Sequence, residues 1–192
     1  DDGPYAPVGN RIMDCLAQYG GKATFYVVGN RCASYKEEMQ RMVAEGHEIG
    51  NHTYGHKYLN KLDAAQIREQ IQKGNQAITD ASGKGAATVS LPGGCKNATV
   101  LANVDAPIVL WSIDTLDWKT RNAQKSIDAV LGNVKDGDIV LMHELYNASG
   151  DAALTIIPKL VEQGYQLVTV SELAQYRGGM ENGKIYYSFP RQ

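Results

Sequence analysis

The feature that most constrains this chain is the regular alternation of short β-branched and aromatic runs with amphipathic helical stretches. Apolar runs buried on both faces need helices packed against them, so this order predicts βα units around a parallel sheet or barrel. A first helix carries Ile12, Cys15, Leu16 and Tyr19 on one side and stops at Gly20-Gly21, and the strand Ala23 to Val28 follows. Ser34, with Glu37 three residues later, reads as a capping box opening a helix that turns Met39, Met42 and Val43 inward and closes at Gly46. His47 to Asn51 is then a strand, Asp63 caps a long helix through Ile67, Ile71 and Ile78, and Thr88 to Leu91 is the next strand. Past the Pro92-Gly93-Gly94 turn, a short helix at Ala98 to Asn103 precedes the strand Ile108 to Ile113, the helix Ala123 to Val134 and the strand Ile139 to Met142. The pattern ends with helix Ala152 to Gln163, strand Gln166 to Val168, helix Val170 to Tyr176 and an edge strand within Lys184 to Phe189.

With 192 residues, and neither an internal linker nor a repeat, the chain fits a single domain over residues 1–192. Its net charge of -2, with Lys and Arg scattered, provides no basic field for phosphates and argues against nucleic acid as a partner. No apolar run approaches the roughly 18 residues of a membrane span, and the N-terminus carries no basic, apolar and small-residue signal pattern. A trimmed or mature soluble, monomeric piece is the expectation. Cys15, Cys32 and Cys95 form no CxxC pair and leave at least one thiol unpaired, which excludes a dense disulfide framework and fits free thiols.

The loops after the strands carry Asn51 to His56, Pro92 to Gly94, Asp114 to Trp118 and His143. In a barrel of parallel strands these all fall on the C-terminal rim, the face where active sites form. His52 and His56 could face one metal ion if the segment made a helical turn, although such a pair is about as often a surface feature. The pair lacks the Glu of an HExxH peptidase. Asp1-Asp2-Gly3-Pro4 offers a third ligand, and an Asp with two His would leave coordination positions open to water and an acyl oxygen. A carboxylate from Asp114 or Asp117 bonded to His143 would fix the tautomer of that histidine and favour its protonated form, suiting a general acid.

Taken in order, Asp1-Asp2-Gly3-Pro4, His52-Thr53-Tyr54-Gly55-His56, Leu91-Pro92-Gly93-Gly94, Asp114-Thr115-Leu116-Asp117-Trp118 and Leu141-Met142-His143 resemble the motifs of the polysaccharide deacetylase family, carbohydrate esterase family 4. The resemblance spans essentially the whole chain. It implies an α/β fold, a distorted (β/α) barrel with about seven strands rather than the usual eight. It also implies one divalent metal ion, commonly Zn2+ with Co2+, Ni2+ or Mn2+ as alternatives, held by Asp2, His52 and His56. Asp1 would be the base that takes a proton from the attacking water, and His143, oriented by Asp117, the acid that protonates the leaving amine. The N–H of Gly93 would stabilise the oxyanion, Trp118 and Leu141 would receive the acetyl methyl, and Tyr54 would line the substrate site. The implied substrate is N-acetylglucosamine-containing polysaccharide such as peptidoglycan or chitin-like oligomers, with acetylated xylan or a binding-only domain as alternatives, and the implied location is extracellular or cell-surface.

The chain departs from the family pattern in two places. Ser90 stands where an Arg usually holds the base carboxylate, which would raise the pKa of Asp1 and loosen its orientation unless another cation such as Arg121 substitutes. The apolar strand that normally leads into the Asp-Asp pair does not precede Asp1, so the first strand is expected to lie outside this sequence.

Overall fold

The computed structural model describes residues Asp1–Gln192. Helix α1 (Ala6–Tyr19) ends at Gly20, whose left-handed backbone lets its N–H return to Leu16 O, as the sequence predicts. Strand β1 (Thr24–Val27) leads into the short helix α2 (Gly29–Cys32), a 3-10 turn at Ala33–Tyr35 and helix α3 (Lys36–Ala44). The Ser34 capping box does not form. Cys32 and Ala33 already hold right-handed helical backbone, so Ser34 lies inside a nearly continuous helical path and the extended conformation an N-cap needs falls outside it. The break comes instead at Tyr35 (φ -134°, ψ 41°), and no side chain caps α3.

Strand β2 (Glu48–Asn51) pairs in parallel with β1, and helix α4 (Ala64–Ser82) opens with the Asp63 capping box, closed reciprocally by Gln66. The run Thr88 to Leu91 contributes isolated parallel bridges at Val89, to Asn51 on one side and Ile108 on the other. After α5 (Ala98–Asn103), the expected strand Ile108 to Ile113 divides into β3 (Ile108–Val109) and β4 (Ile113–Asp114). The division has a cause: the chain changes partner there. Leu110 N–H still donates to Tyr186 O, whereas Ser112 and Ile113 both donate to Ile139 O, a bulge that interrupts the ladder.

The remaining elements are α6 (Asp117–Thr120), α7 (Ala123–Leu131), β5 (Val140–Leu141), α8 (Asn147–Glu162), α9 (Val170–Gln175) and β6 (Ile185–Tyr186). Helix α8 begins five residues before the predicted Ala152, which places Ser149 in its first turn. Gln166 to Val168 forms no strand; Leu167 O accepts a single bond from Lys22 N–H. Strand β6 pairs in parallel with β3, and β4 with β5, so six short strands and the Val89 bridges form the curved sheet, and the ring does not close.

Helices cover the outside of this sheet. Met13 of α1, Met39 and Met42 of α3 and Ile78 of α4 pack on Phe25, Val27 and Ile49, while Ile67 and Ile71 of α4 meet Val89, Leu91 and Ile108. Val130 of α7 and Ala152, Ile156 and Leu160 of α8 cover Ile113. Between β1 and β5 lies a cavity of 780 Å³ lined by Phe25, Tyr26, Leu110, Val140, Ile157 and Leu167. Its upper end is bridged by Asp1–Gly3: Asp1 N donates to Met142 O at 2.8 Å, Glu144 N–H to Asp1 O, Asp2 N–H to Tyr26 O and Val28 N–H to Gly3 O. The two aspartates are thereby fixed at the C-terminal ends of both strands. The three cysteines are free thiols, Cys15 and Cys32 buried.

Candidate metal centre and active site

The segment after β2 positions the two histidines without a helical turn. Thr53 and His56 adopt left-handed backbone (φ 69° and 54°), and the loop is pinned where it bends: Asn51 Oδ1 accepts from Thr53 N–H at 2.9 Å, Thr53 Oγ1 from His56 N–H at 3.0 Å, and Gln70 of α4 accepts from Tyr54 and Gly55. A β-branched residue at positive φ costs about 1–3 kcal/mol and persists only where its surroundings hold it. The five non-glycine residues at positive φ are Asp2, Thr53, His56, Leu116 and Arg121, all in loops on the same rim.

Here Asp2 Oδ1 stands 3.1 Å from Nε2 of both His52 and His56, and the three ligand atoms lie within 4.8 Å of one another. Asp2 Oδ1 is buried and accepts no hydrogen bond from a backbone or hydroxyl donor. His52 is fully buried, and its Nδ1 donates to Ser90 O at 2.8 Å, which leaves Nε2 unprotonated and aimed at Asp2. Burial holds the pKa of His52 down against the pull of Asp2, and Asp2 raises that of His56. Burial opposes ionisation of Asp2, yet the two imidazoles hold its carboxyl far below the usual range. One carboxylate and two ring nitrogens converging on a buried, unsatisfied oxygen is a donor set suited to a divalent transition ion with open positions.

Opposite this cluster, His143 Nδ1 donates to Asp117 Oδ1 at 2.7 Å and its N–H to Asp117 Oδ2 at 2.6 Å. Asp117 also accepts from Trp118 N–H and from Ser149 Oγ. Burial works against the Asp117 charge, but bonds from His143 and Ser149 outweigh it and hold the carboxyl below its ordinary value. His143 Nε2 consequently faces the cluster, 3.9 Å from Asp2 Oδ2. The nearly buried Asp1 carboxylate lies 3.6 Å from His52 Nε2. Arg121 does not substitute for the absent Arg at Ser90, because it donates to Trp118 O and stacks 3.6 Å over the Tyr146 ring.

Gly93 adopts φ 64°, and its N–H donates to no protein acceptor. A Cβ there would meet Tyr58 Cε1 at 2.9 Å, so Tyr58, whose ring lies 6.4 Å from that of His56, walls this side. Leu141 is buried and lines the cavity together with Asp1, Ser90 and His143, while Trp118 is half exposed at the rim. Tyr54 is the residue the structure places elsewhere. Its ring packs against Gly29, which leaves room for it, and lies beside Lys73, in a separate polar depression with Lys57 and Glu69. Ser149, the Ser90 carbonyl and Tyr58 are the site components that sequence reasoning missed. The first two act through a hydroxyl and a backbone atom that leave no spacing signal.

Comparison with known proteins decides the family. The polysaccharide deacetylase model matches residues 1–106. The chain belongs to the polysaccharide deacetylase family. It is 40% identical over 177 residues to the peptidoglycan-N-acetylmuramic acid deacetylase PdaC of Bacillus subtilis, covering 92% of this chain and 38% of that protein. The chain therefore spans about two fifths of that relative's length. Among solved structures, the T48 deacetylase with substrate superposes with a TM-score of 0.91 at 37% identity, covering 97% of this chain and 92% of that one. The family 4 acetyl xylan esterase of Clostridium thermocellum, in complex with a cobalt ion, gives 0.92 at 33% identity, covering 99% and 96%.

Proposed function

We propose that this domain hydrolyses the acetamide of N-acetylglucosamine-containing polysaccharide, peptidoglycan or chitin-like oligomers, releasing acetate. The observation that carries the reading is the Asp2–His52–His56 cluster facing the Asp117–His143 pair across one rim. A divalent ion in that cluster, zinc foremost and Co2+, Ni2+ or Mn2+ as alternatives, would polarise the acetyl carbonyl and acidify water.

The protein's own groups supply the rest. The Asp1 carboxylate takes the proton of the attacking water. The unpaired N–H of Gly93 donates to the oxyanion as the carbonyl becomes tetrahedral. His143, held by Asp117 with Nε2 toward the site, protonates the amide nitrogen, a poor leaving group until it carries that proton. Leu141, buried, and Trp118, half exposed at the rim, provide the apolar surfaces that receive the acetyl methyl. A polymer of the cell wall lies outside the membrane, so the extracellular or cell-surface space is the corresponding location, with the domain working as a monomer.

The likeness to an acetyl xylan esterase supports a second reading, O-acetyl hydrolysis by the same groups. Zinc-loaded protein incubated separately with N-acetylglucosamine oligomers, peptidoglycan and acetylated xylan separates the two. Acetate from the N-acetyl substrates is the expected result; acetate from xylan alone would replace the amide reading with the ester one.

A further inference from the structure

The segment that carries Asp1 and Asp2 into the site is held from beneath by two glutamates that the chemistry above does not use. Glu38 of α3 and Glu144, next to His143, are 2% and 5% exposed, and an oxygen of each carboxyl converges on the same point beside Gly9. Glu144 N–H donates to Asp1 O at 3.0 Å, and Glu144 Oε2 accepts from Tyr5 N–H at 2.9 Å. Gly3 and Gly9 approach so closely that a Cβ on either would overlap the Glu144 carboxyl, and one on Gly9 would also lie 2.5 Å from Glu38 Oε1. Across the segment, Arg31 donates from Nε and Nη2 to Pro4 O at 3.1 and 3.0 Å, and the Tyr35 ring meets that of Tyr5 edge-on.

Neither oxygen of Glu38 receives a bond from any N–H or hydroxyl. Two ionised carboxylates offer each other only acceptors, and two such charges side by side in a buried site do not both persist. The charged side chain facing them is Arg31, whose fork is engaged by Pro4 O. Burial and the neighbouring carboxylate push the Glu38 pKa strongly upward.

We propose that Glu38 is a protonated donor to the Glu144 carboxylate, and that this acid pair is a positioning device holding Asp1 and Asp2 in register with His52, His56 and His143. The inference rests on the roles given above to Asp1 and Asp2. Glu38→Gln keeps a neutral donor, whereas Glu38→Leu removes it and strands the Glu144 charge. The metal-free protein at pH 7 is expected to show the infrared carbonyl stretch of a buried protonated carboxyl, absent in Glu38→Gln. Zinc affinity, read by competition with a chromophoric chelator, should stay within about threefold of the parent in Glu38→Gln and fall about 10–100-fold in Glu38→Leu, with kcat falling more than KM. Absence of the infrared band, equal damage in both variants, or unchanged zinc affinity in Glu38→Leu would each overturn the pair. If Glu38→Leu does not fold, the band and the Glu38→Gln affinity still decide. Failure of the parent to bind zinc would refute the metal centre instead, while the band still tests the pair.

Discussion

His56 and His143 approach different oxygens of Asp2, at 3.1 and 3.9 Å, and are assigned different work, which single substitutions separate. His56→Ala removes one of the three proposed ligands and should lower zinc affinity by tenfold or more. His143→Ala should leave zinc in place and reduce kcat by about 10²–10⁴. Equal metal loss in both, read by metal analysis after dialysis, would contradict the division. Asp117→Asn tests the support of the acid: its amide cannot accept at both positions as the carboxylate does, so His143 loses its enforced tautomer. A kcat loss of about 10² or more with zinc retained is expected. At this scale the residues legible in the sequence were those whose chemistry is tied to a type, such as His52, His56 and the Asp117–His143 pair. Ser149 and the Ser90 carbonyl act as anonymous hydrogen-bond partners, and Tyr54 turned away because Gly29 leaves room for its ring.

At the scale of elements, the ligand loop is secured by α4. Gly74 is the contact: a Cβ there would overlap Asn51 Oδ1, the atom that holds Thr53 N–H. Gly74→Ala should therefore cost about 1–3 kcal/mol by overpacking, despite its better helix propensity, and weaken zinc binding with it. A gain in denaturation midpoint would contradict this packing. The β1–β2 pair carries a pH dependence of its own. His47 is buried with Nδ1 accepting from Ala23 N–H at 3.1 Å, and burial, reinforced by Lys22, lowers its pKa to about 4. An unfolded chain binds the proton near pH 6.5, so this contribution is complete above about 6.5 and is lost as pH falls toward 4, by about 1–3 kcal/mol. Denaturant melts of His47→Gln across that window should show a flatter profile. Gly20 and the Asp63 box were legible because capping is local chemistry. Ser34 failed because α2 and the 3-10 turn run into α3, and Ile108 to Ile113 failed as one strand because its partner changes mid-run, a tertiary event with no local signature.

At the scale of the molecule, the βα order in the sequence announced a parallel sheet with its chemistry on one rim, and the structure assembles that rim from loops spread between Asp1 and Ser149. The ring is open between β1 and β5, with Asp1–Gly3 tied across its upper end, in keeping with the expectation that the first strand lies outside this sequence. Metal and hydrolysis are inseparable in the proposed chemistry, because the candidate ligands, the base and the acid all lie within 4 Å of another member of the group. The direct measurement is acetate release from an N-acetylglucosamine oligomer after chelation and stepwise return of zinc. No release is expected from the chelated protein and full release at one zinc per chain; release that persists without metal, or fails to return with it, would contradict the metal-dependent mechanism.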